Sequence, residues 1–522
     1  MSAAVAELLA GLVAEPWGQV TPSVYETGRV VSLLPWLAGQ PGRVRYLLAS
    51  QRPDDAWGGP DGYALVPTLS AVEALLALLA RADPAECGPI DPGTISTAAD
   101  RGLRAIWRLL DNRSNIVLPD TPAVEIVVPA LVATLNDHLV RLRRTAEPGL
   151  ATWRSDITLP LPAGVDPAMV RRIRARLDEG GTVPAKLLHS LEIFGSTGPV
   201  RPVPPGTIGA SPAATASWLA RRTPVGSGDP ARRYLEAVAA RHGGPVPSVV
   251  PITMFERAWV LSGLSGAGIA AVVPEPLLTS LAEGLDADGV PGGAGLPADA
   301  DTTSVVLLTL AQLGRPVDLD CLWAYRADGH FQTWPGERTA SATTNAHVLE
   351  AFGHRISSGG PGHARYAGTA AKLVDWLAGQ QHPDGYWTDK WHASPWYATA
   401  CCALALHRYG GERGAVAVRR AVAWVLSTQD DTGGWGRWAG TAEESAYGLQ
   451  ILLIAGRPDQ PGVSRAVRRG YRFLRDYRDA PDPPLWHDKD LFRPVAVVRA
   501  AILTALHLAQ RAGCSDGMIA GR

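Results

Sequence analysis

Apolar residues recur at three- and four-residue spacing along most of this chain. The pattern is clear over 68–81 (TLSAVEALLALLAR), 185–194 (AKLLHSLEIF), 302–313 (TTSVVLLTLAQL), 396–408 (WYATACCALALHR) and 442–455 (AEESAYGLQILLIA). Such spacing predicts helices with a buried face. Period-two alternation is scarce. Ile126 to Val128 could form a strand fragment, but its neighbours favour a helix. The pattern therefore predicts an all-α chain, and 522 residues are more than one core usually supports. The opening run MSAAVAELLAGLVAEPWG reads as a short amphipathic helix with Leu8, Leu9, Leu12 and Val13 on one side. It lacks the basic region of a signal peptide, and no apolar stretch looks long enough to span a bilayer.

Composition refines this picture. There are 43 prolines and 55 glycines, which must fall between the helices and make turn-rich joints. The formal net charge of -1 gives no reason to expect nucleic acid or an acidic surface as partner. The basic run Arg171 to Arg176 reads as a solvated helix face. Five cysteines (Cys87, Cys321, Cys401, Cys402, Cys514) show no C-x-x-C spacing. They argue against a disulfide framework or structural zinc and fit a reducing cytoplasm. Seventeen tryptophans against six phenylalanines suit an aromatic-lined cavity.

Three segments repeat one design: QRPDDAWGGPDGYALVPTLSAVEALLAL from Gln51, QQHPDGYWTDKWHASPWYATACCALAL from Gln380, and STQDDTGGWGRWAGTAEESAYGLQILL from Ser427. Each runs from Gln through an Asp/Gly turn and a Trp (Trp57, Trp387, Trp435) into an apolar helix. Repetition of this kind predicts stacked helix pairs that close into α-barrels, with turn glycines Gly58, Gly385 and Gly434 at positive φ. The Pro/Gly/Ser-rich stretch 196–230 is expected to hold exposed loops around one helix.

The segment LPADADTTSVVLLTLAQLG carries the candidate chemistry. Taken alone, Asp301 or Thr302 could cap the helix, or Asp299 and Asp301 could bind a metal ion. In context, Asp299-Ala300-Asp301-Thr302 resembles the D-x-D-D motif of class II terpene cyclases of the squalene–hopene and copalyl diphosphate type. SVYETGRVV (23–31), AVEIVVPAL (123–131), LLHSLEIF (187–194), SPAATASWL (211–219), MFERAWVLSGL (254–264), DKWHASPWYATA (389–400) and LWHDKDLFRPVAVVRA (485–500) resemble further elements of that family, in order.

The resemblance implies two α/α-barrel domains of the family's β and γ types, without a class I α domain. Residues 1–19 would pack as a helix on the β domain, 20–250 would form the γ domain and 251–522 the β domain. It implies Asp301 as the acid that protonates an alkene, Asp299 as its proton-holding partner, and Thr302 and Thr303 beside them. A carboxylic acid can stay protonated near neutral pH when it is buried next to another carboxylate. Trp334, Trp391, Trp396 and Tyr397 are the candidates to face the carbocations, since π-faces attract cations without readily trapping them. Lys390, Lys186 and Arg493 are candidates for pairing with phosphate oxygens, and Glu125 is the candidate ligand of Mg2+.

Thr302 departs from the family's fourth aspartate. D-x-D-T-T resembles drimenyl diphosphate synthases, which implies farnesyl diphosphate as a small-molecule substrate with its diphosphate retained. The alternative is a copalyl-type product from geranylgeranyl diphosphate. Asp54-Asp55 and Asp430-Asp431 lack the further acid of a class I site. A squalene–hopene type enzyme is expected to be longer and membrane-seated, whereas no stable membrane insertion is expected here. A glycoside hydrolase would need a second convincing acid. A protein prenyltransferase needs a zinc site, and an inactive scaffold does not require an intact Asp301. Oligomeric state is left open by the sequence.

Overall fold

A computed structural model describes residues 1–514 except 82, 84–85, 87, 112–116, 145–146, 148, 195–198, 223–224, 360–362, 458 and 478–481; Cys87 lies outside the described residues. The apolar spacing has its physical consequence throughout. Helices pack into two concentric arrangements, and the stretch around Ile126 is helical (Val124–Leu142).

One barrel uses Thr253–Gly266, Ala300–Gln312, Ala342–Ser357, Pro395–Tyr409, Ala442–Ile454 and Val495–Arg511 as its inner helices, each packed on the next, with the last returning to the first. Outer helices Glu275–Glu283, His363–Gly379, Gly411–Ser427 and Val463–Asp476 back them. Ser2–Ala14 packs against Val495–Arg511 and Glu275–Glu283. It buries Leu8, Leu9 and Leu12, as the pattern indicated, and adds Val5 one turn earlier, while Val13 is exposed. A second, smaller ring is built from Val24–Leu33, Leu65–Arg81, Val124–Leu142, the 3-10 segment Ala185–Ile193 and Pro212–Ala220. The segment 61–81 is long and apolar enough to cross a membrane, contrary to the sequence reading, but most of it is buried inside this ring. Pro212–Ala220 is also buried from its first residue to Leu219, so the Pro/Gly/Ser-rich stretch holds a core helix. Arg171 to Arg176 lies on the helix Ala168–Asp178, whose buried residues are Val170 and Leu177.

The three repeats brace these rings in the same way. The indole N–H groups of Trp57, Trp387 and Trp435 donate to the carbonyls of Leu47, Leu377 and Val425, ten residues earlier, at 2.6, 2.8 and 2.8 Å. Gln51, Gln381 and Gln429 each donate to the carbonyl four residues on and to an outer helix, at Ala98, Ala417 and Ala466. The shared positive-φ position is therefore four residues after the Gln: Asp55, Gly385 and Gly433. Gly433 takes that role rather than Gly434, because a donating Gln fixes the register of the turn.

Candidate active site

The inner helices of the larger barrel start on the side that meets the smaller ring. On this side a short hairpin, Val290–Pro291 paired with Ala298–Asp299, leads straight into Ala300–Gln312. Gly293 lets the hairpin lie against the chain before Thr253, since a Cβ there would sit 1.8 Å from the Pro251 carbonyl oxygen. Asp299 ends the strand and caps the helix. Its Oδ1 accepts the Thr302 N–H at 2.6 Å and its Oδ2 accepts the Thr302 hydroxyl at 3.0 Å. The capping role thus falls to Asp299, not to Asp301 or Thr302. Thr303 turns the other way and accepts the Val290 N–H at 2.8 Å, pinning the hairpin.

Asp301, in the first helical turn, is left with a different partner. Nδ1 of His347, on Ala342–Ser357, lies 2.7 Å from Oδ1 of Asp301. Burial opposes a charge on His347, but the adjacent Asp301 carboxylate and their hydrogen bond outweigh it and hold the imidazole pKa well above the usual histidine range. Burial, then the charge of Asp301, pushes the Asp299 carboxyl up to about 8, against the Thr302 hydrogen bonds. A third carboxyl, Asp389, accepts from Ser341 Oγ at 2.9 Å and from the N–H groups of Thr343 and Trp391 at 3.1 and 3.0 Å. Burial raises its pKa, and Asp301 adds to that effect. At neutral pH this arrangement can therefore hold protons on both sides of Asp301.

Aromatic rings continue from the acid. The rings of Trp259 and His347 meet edge to face at 5.3 Å, and the Trp259 indole N–H donates to the Tyr397 hydroxyl at 2.8 Å. Tyr397 packs on Trp486 at 4.6 Å and on Tyr447 at 5.4 Å. Trp259, His347, Tyr397 and Tyr447 face a cavity of about 150 Å³ within the barrel. Trp334 and Trp391 meet edge to face at 5.2 Å, and their buried indole nitrogens have no partner among the described residues. The Ala300 N–H, donating to the Thr333 carbonyl at 3.0 Å, ties Trp334 to the acid motif. Trp396 stands apart: its ring packs at 4.7 Å on Trp424 of the outer helix Gly411–Ser427.

The candidate cations and the metal ligand are scattered. Lys390 pairs with Glu337 and donates to the Thr339 carbonyl at 2.7 Å, so its charge is already matched beside Trp391. Lys186 is exposed on the smaller ring. Arg493 is half-buried, and its Nε has no partner among the described residues. Glu125 lies 3.3 Å from Arg338 across the junction of the two rings, and neighbouring Thr339 donates to Asp120 at 3.3 Å. Among the described residues, no three Asp, Glu, His or Cys side chains form a protein-only metal cage.

The sequence reading missed His347, which is 46 residues from Asp301 and carries no motif of its own. It also missed a buried polar cluster that joins the rings, although its charged residues and His189 lie inside the quoted SVYETGRVV, LLHSLEIF and LWHDKDLF elements. Lys489 Nζ lies 2.5 Å from Glu26 and 2.9 Å from Glu192. His189 donates from Nδ1 to the Gly209 carbonyl at 2.6 Å and faces Asp488 through Nε2 at 2.7 Å. Asp488 also accepts from Ser248. Both nitrogens of His189 face acceptors, which suits the imidazolium form, and its pKa is raised because Asp488 overcomes the effect of burial.

Residues 338–484 match the squalene-hopene cyclase C-terminal domain family. The chain is 43% identical to an ent-copalyl diphosphate synthase of Streptomyces sp. (strain KO-3988), over 98% of this chain and 96% of that protein. It is 42% identical to a labda-7,13-dienyl diphosphate synthase of Streptomyces clavuligerus, over 97% and 93%. The structure is similar to that of ent-copalyl diphosphate synthase from Streptomyces platensis, with a TM-score of 0.93 and 46% identity over 98% of this chain and 99% of that one.

Proposed function

The chain belongs to the class II terpene cyclase family, and we propose that it is a diterpene cyclase that converts geranylgeranyl diphosphate to a bicyclic copalyl-type diphosphate. The observation that carries this reading is the near-complete overlap, at 41–43% identity, with four relatives named for copalyl or labdadienyl diphosphate synthesis.

Asp301 acts as the acid. Its O–H proton passes to the terminal alkene carbon, and the π electrons form the new C–H bond. The cation left behind is captured by the next alkene in turn, closing two rings. A final C–H bond gives up its proton and its electrons form the product alkene; the diphosphate is untouched. An alkene is a very weak base, so the acid must be dry and must be reloaded between turnovers. Asp299, with its pKa near 8, and His347, hydrogen-bonded to Asp301, are the groups that hold protons for this purpose. Trp259, Tyr397, Trp334 and Trp391 offer π-faces to the cation. Glu125 and Asp120, whose partners are the adjacent Arg338 and Thr339, would hold Mg2+ together with diphosphate oxygens. One or two carboxylates plus phosphate oxygens is a usual Mg2+ donor set, and the bound ion would offset the diphosphate charge.

A second reading has one specific observation behind it. Thr302 spends its hydroxyl on Asp299 where the family motif carries a fourth aspartate, and the resulting D-x-D-T-T resembles cyclases that act on farnesyl diphosphate to give drimenyl diphosphate. Incubation of the purified protein with Mg2+ and each prenyl diphosphate, then phosphatase treatment and mass analysis, separates the two. A bicyclic C20 alcohol supports the diterpene reading, a bicyclic C15 alcohol supports the second, and no cyclic product from either refutes both.

A further inference from the structure

Two adjacent glutamates open the helix Ala442–Ile454, and they do different things. Glu444 completes a cap: its backbone N–H donates to Thr441 Oγ1 at 3.1 Å, and its own carboxylate accepts the Thr441 hydroxyl at 2.8 Å and the Arg437 N–H at 2.7 Å. Glu443 has no part in the cap and points into the barrel, where it is 2% exposed. One of its oxygens, Oε1, accepts the Trp486 indole N–H at 2.7 Å and the Tyr447 hydroxyl at 3.2 Å, and lies 3.2 Å from His392 Nε2. Among the described residues, no lysine or arginine forms an ion pair with it.

A buried carboxylate is expensive unless donors surround it, and here the donors are all aromatic rings. Those rings also touch one another. His392 stacks obliquely on Tyr397 at 4.9 Å and meets Trp486 edge to face at 5.1 Å, and Phe255 meets Trp486 at 5.3 Å. Tyr397 in turn reaches Trp259, whose ring touches His347, the partner of Asp301. An unbroken aromatic wall thus runs from the acid to Glu443. A ring whose N–H or O–H donates to an anion gains electron density on its faces, so this placement strengthens each face toward a cation.

We propose that Glu443 is a positioning residue for cyclisation, holding Trp486, Tyr447 and His392 in place and making their π-faces more attractive to the migrating positive charge. This rests on the cyclase reading above. It explains why an acid sits within a wall of rings without touching the proton donor.

The test compares wild-type enzyme with Glu443→Gln on both prenyl diphosphates, reading kcat, KM and the product spectrum by mass analysis after phosphatase treatment. Glutamine keeps the shape and an acceptor but removes the charge. The expected result is a kcat lower by about tenfold or more at unchanged KM, with new monocyclic or hydroxylated products from a cation quenched early. Wild-type kcat and product spectrum would overturn the proposal, and so would a lower kcat with wild-type product purity, which is what a packing role alone gives. If Glu443→Gln does not fold, Tyr447→Phe carries the test: a smaller shift toward quenched products supports the proposal, and an unchanged spectrum overturns it. A wild type that cyclises neither substrate refutes the cyclase reading itself and takes this inference with it.

Discussion

His347 Nδ1 lies 2.7 Å from Asp301 Oδ1, which makes a neighbouring inner helix, and not the acid motif itself, the source of the closest polar partner of the acid. His347 is buried and Asp301 is largely covered, its side chain 15% exposed, so a proton can pass between them directly. His347→Ala is expected to lower turnover by about tenfold to a hundredfold with little change in KM, as for loss of a group that serves a proton transfer. Steady-state kinetics on the preferred prenyl diphosphate checks this.

Asp301→Asn keeps the shape and removes the proton. Cyclisation is expected to fall by at least about a thousandfold, measured as cyclic alcohol after phosphatase treatment. A variant within tenfold of wild type would remove Asp301 from the role of acid.

The pH dependence follows from the signs of the shifts. The raised pKa of Asp299, about 8, means that the folded state holds a proton that the unfolded chain has released above about pH 4. Stability therefore falls as pH rises toward 8. The raised pKa of His347 acts in the same direction: the stability it confers is complete below about 6.5 and is lost as pH climbs through its folded value. Thermal unfolding between pH 6 and 9 should show a falling Tm, and Asp299→Asn should flatten that fall. Turnover should lose its alkaline limb near pH 8 in the same variant if Asp299 supplies the proton.

Lys489 is fully buried between Glu26 and Glu192. Although burial alone would lower its pKa, the two carboxylates hold the ammonium above the usual lysine range. Lys489→Met leaves both acids without their cation in the seam between the rings, and is expected to cost about 3–5 kcal/mol. Glu26→Gln in the same chain should restore part of the loss. Urea unfolding of the wild type, the single variant and the double variant measures both effects.

Glu125→Gln is expected to raise the Mg2+ concentration for half-maximal turnover by about tenfold, while leaving Tm unchanged because the side chain is half-exposed. A Mg2+ titration at fixed substrate reads the shift, and an unmoved curve would place the ion elsewhere.

The sequence patterns reached the helical architecture because it is local. Helical spacing is written in neighbouring residues, and the Gln/Trp repeats recur as segments. The partners of the site were not legible for the opposite reason. His347 reaches Asp301, and Lys489 reaches Glu26, across separations that only ring closure brings together. Lys390 looked like a free cation because Glu337, 53 residues away, is invisible as its counter-ion. Gly434 was assigned the turn that Gly433 makes, because the register is set by a hydrogen bond from Gln429 rather than by glycine content.

The helix Ser2–Ala14 lies against Val495–Arg511, where Arg499 and Glu7 pair at 2.7 Å, and Val20 bridges to Pro494. The helix Ser2–Ala14 therefore has its seat on a helix whose contact residue lies 492 positions further along the chain. The smaller ring, contiguous in sequence, can complete its core while the larger one is still being synthesised, and the opening helix must wait with Val5, Leu8, Leu9 and Leu12 uncovered. During synthesis the smaller ring is thus assembled before the larger, and Ser2–Ala14, which precedes both in the sequence, is seated last; that waiting helix is where a chaperone would be expected to bind the nascent protein.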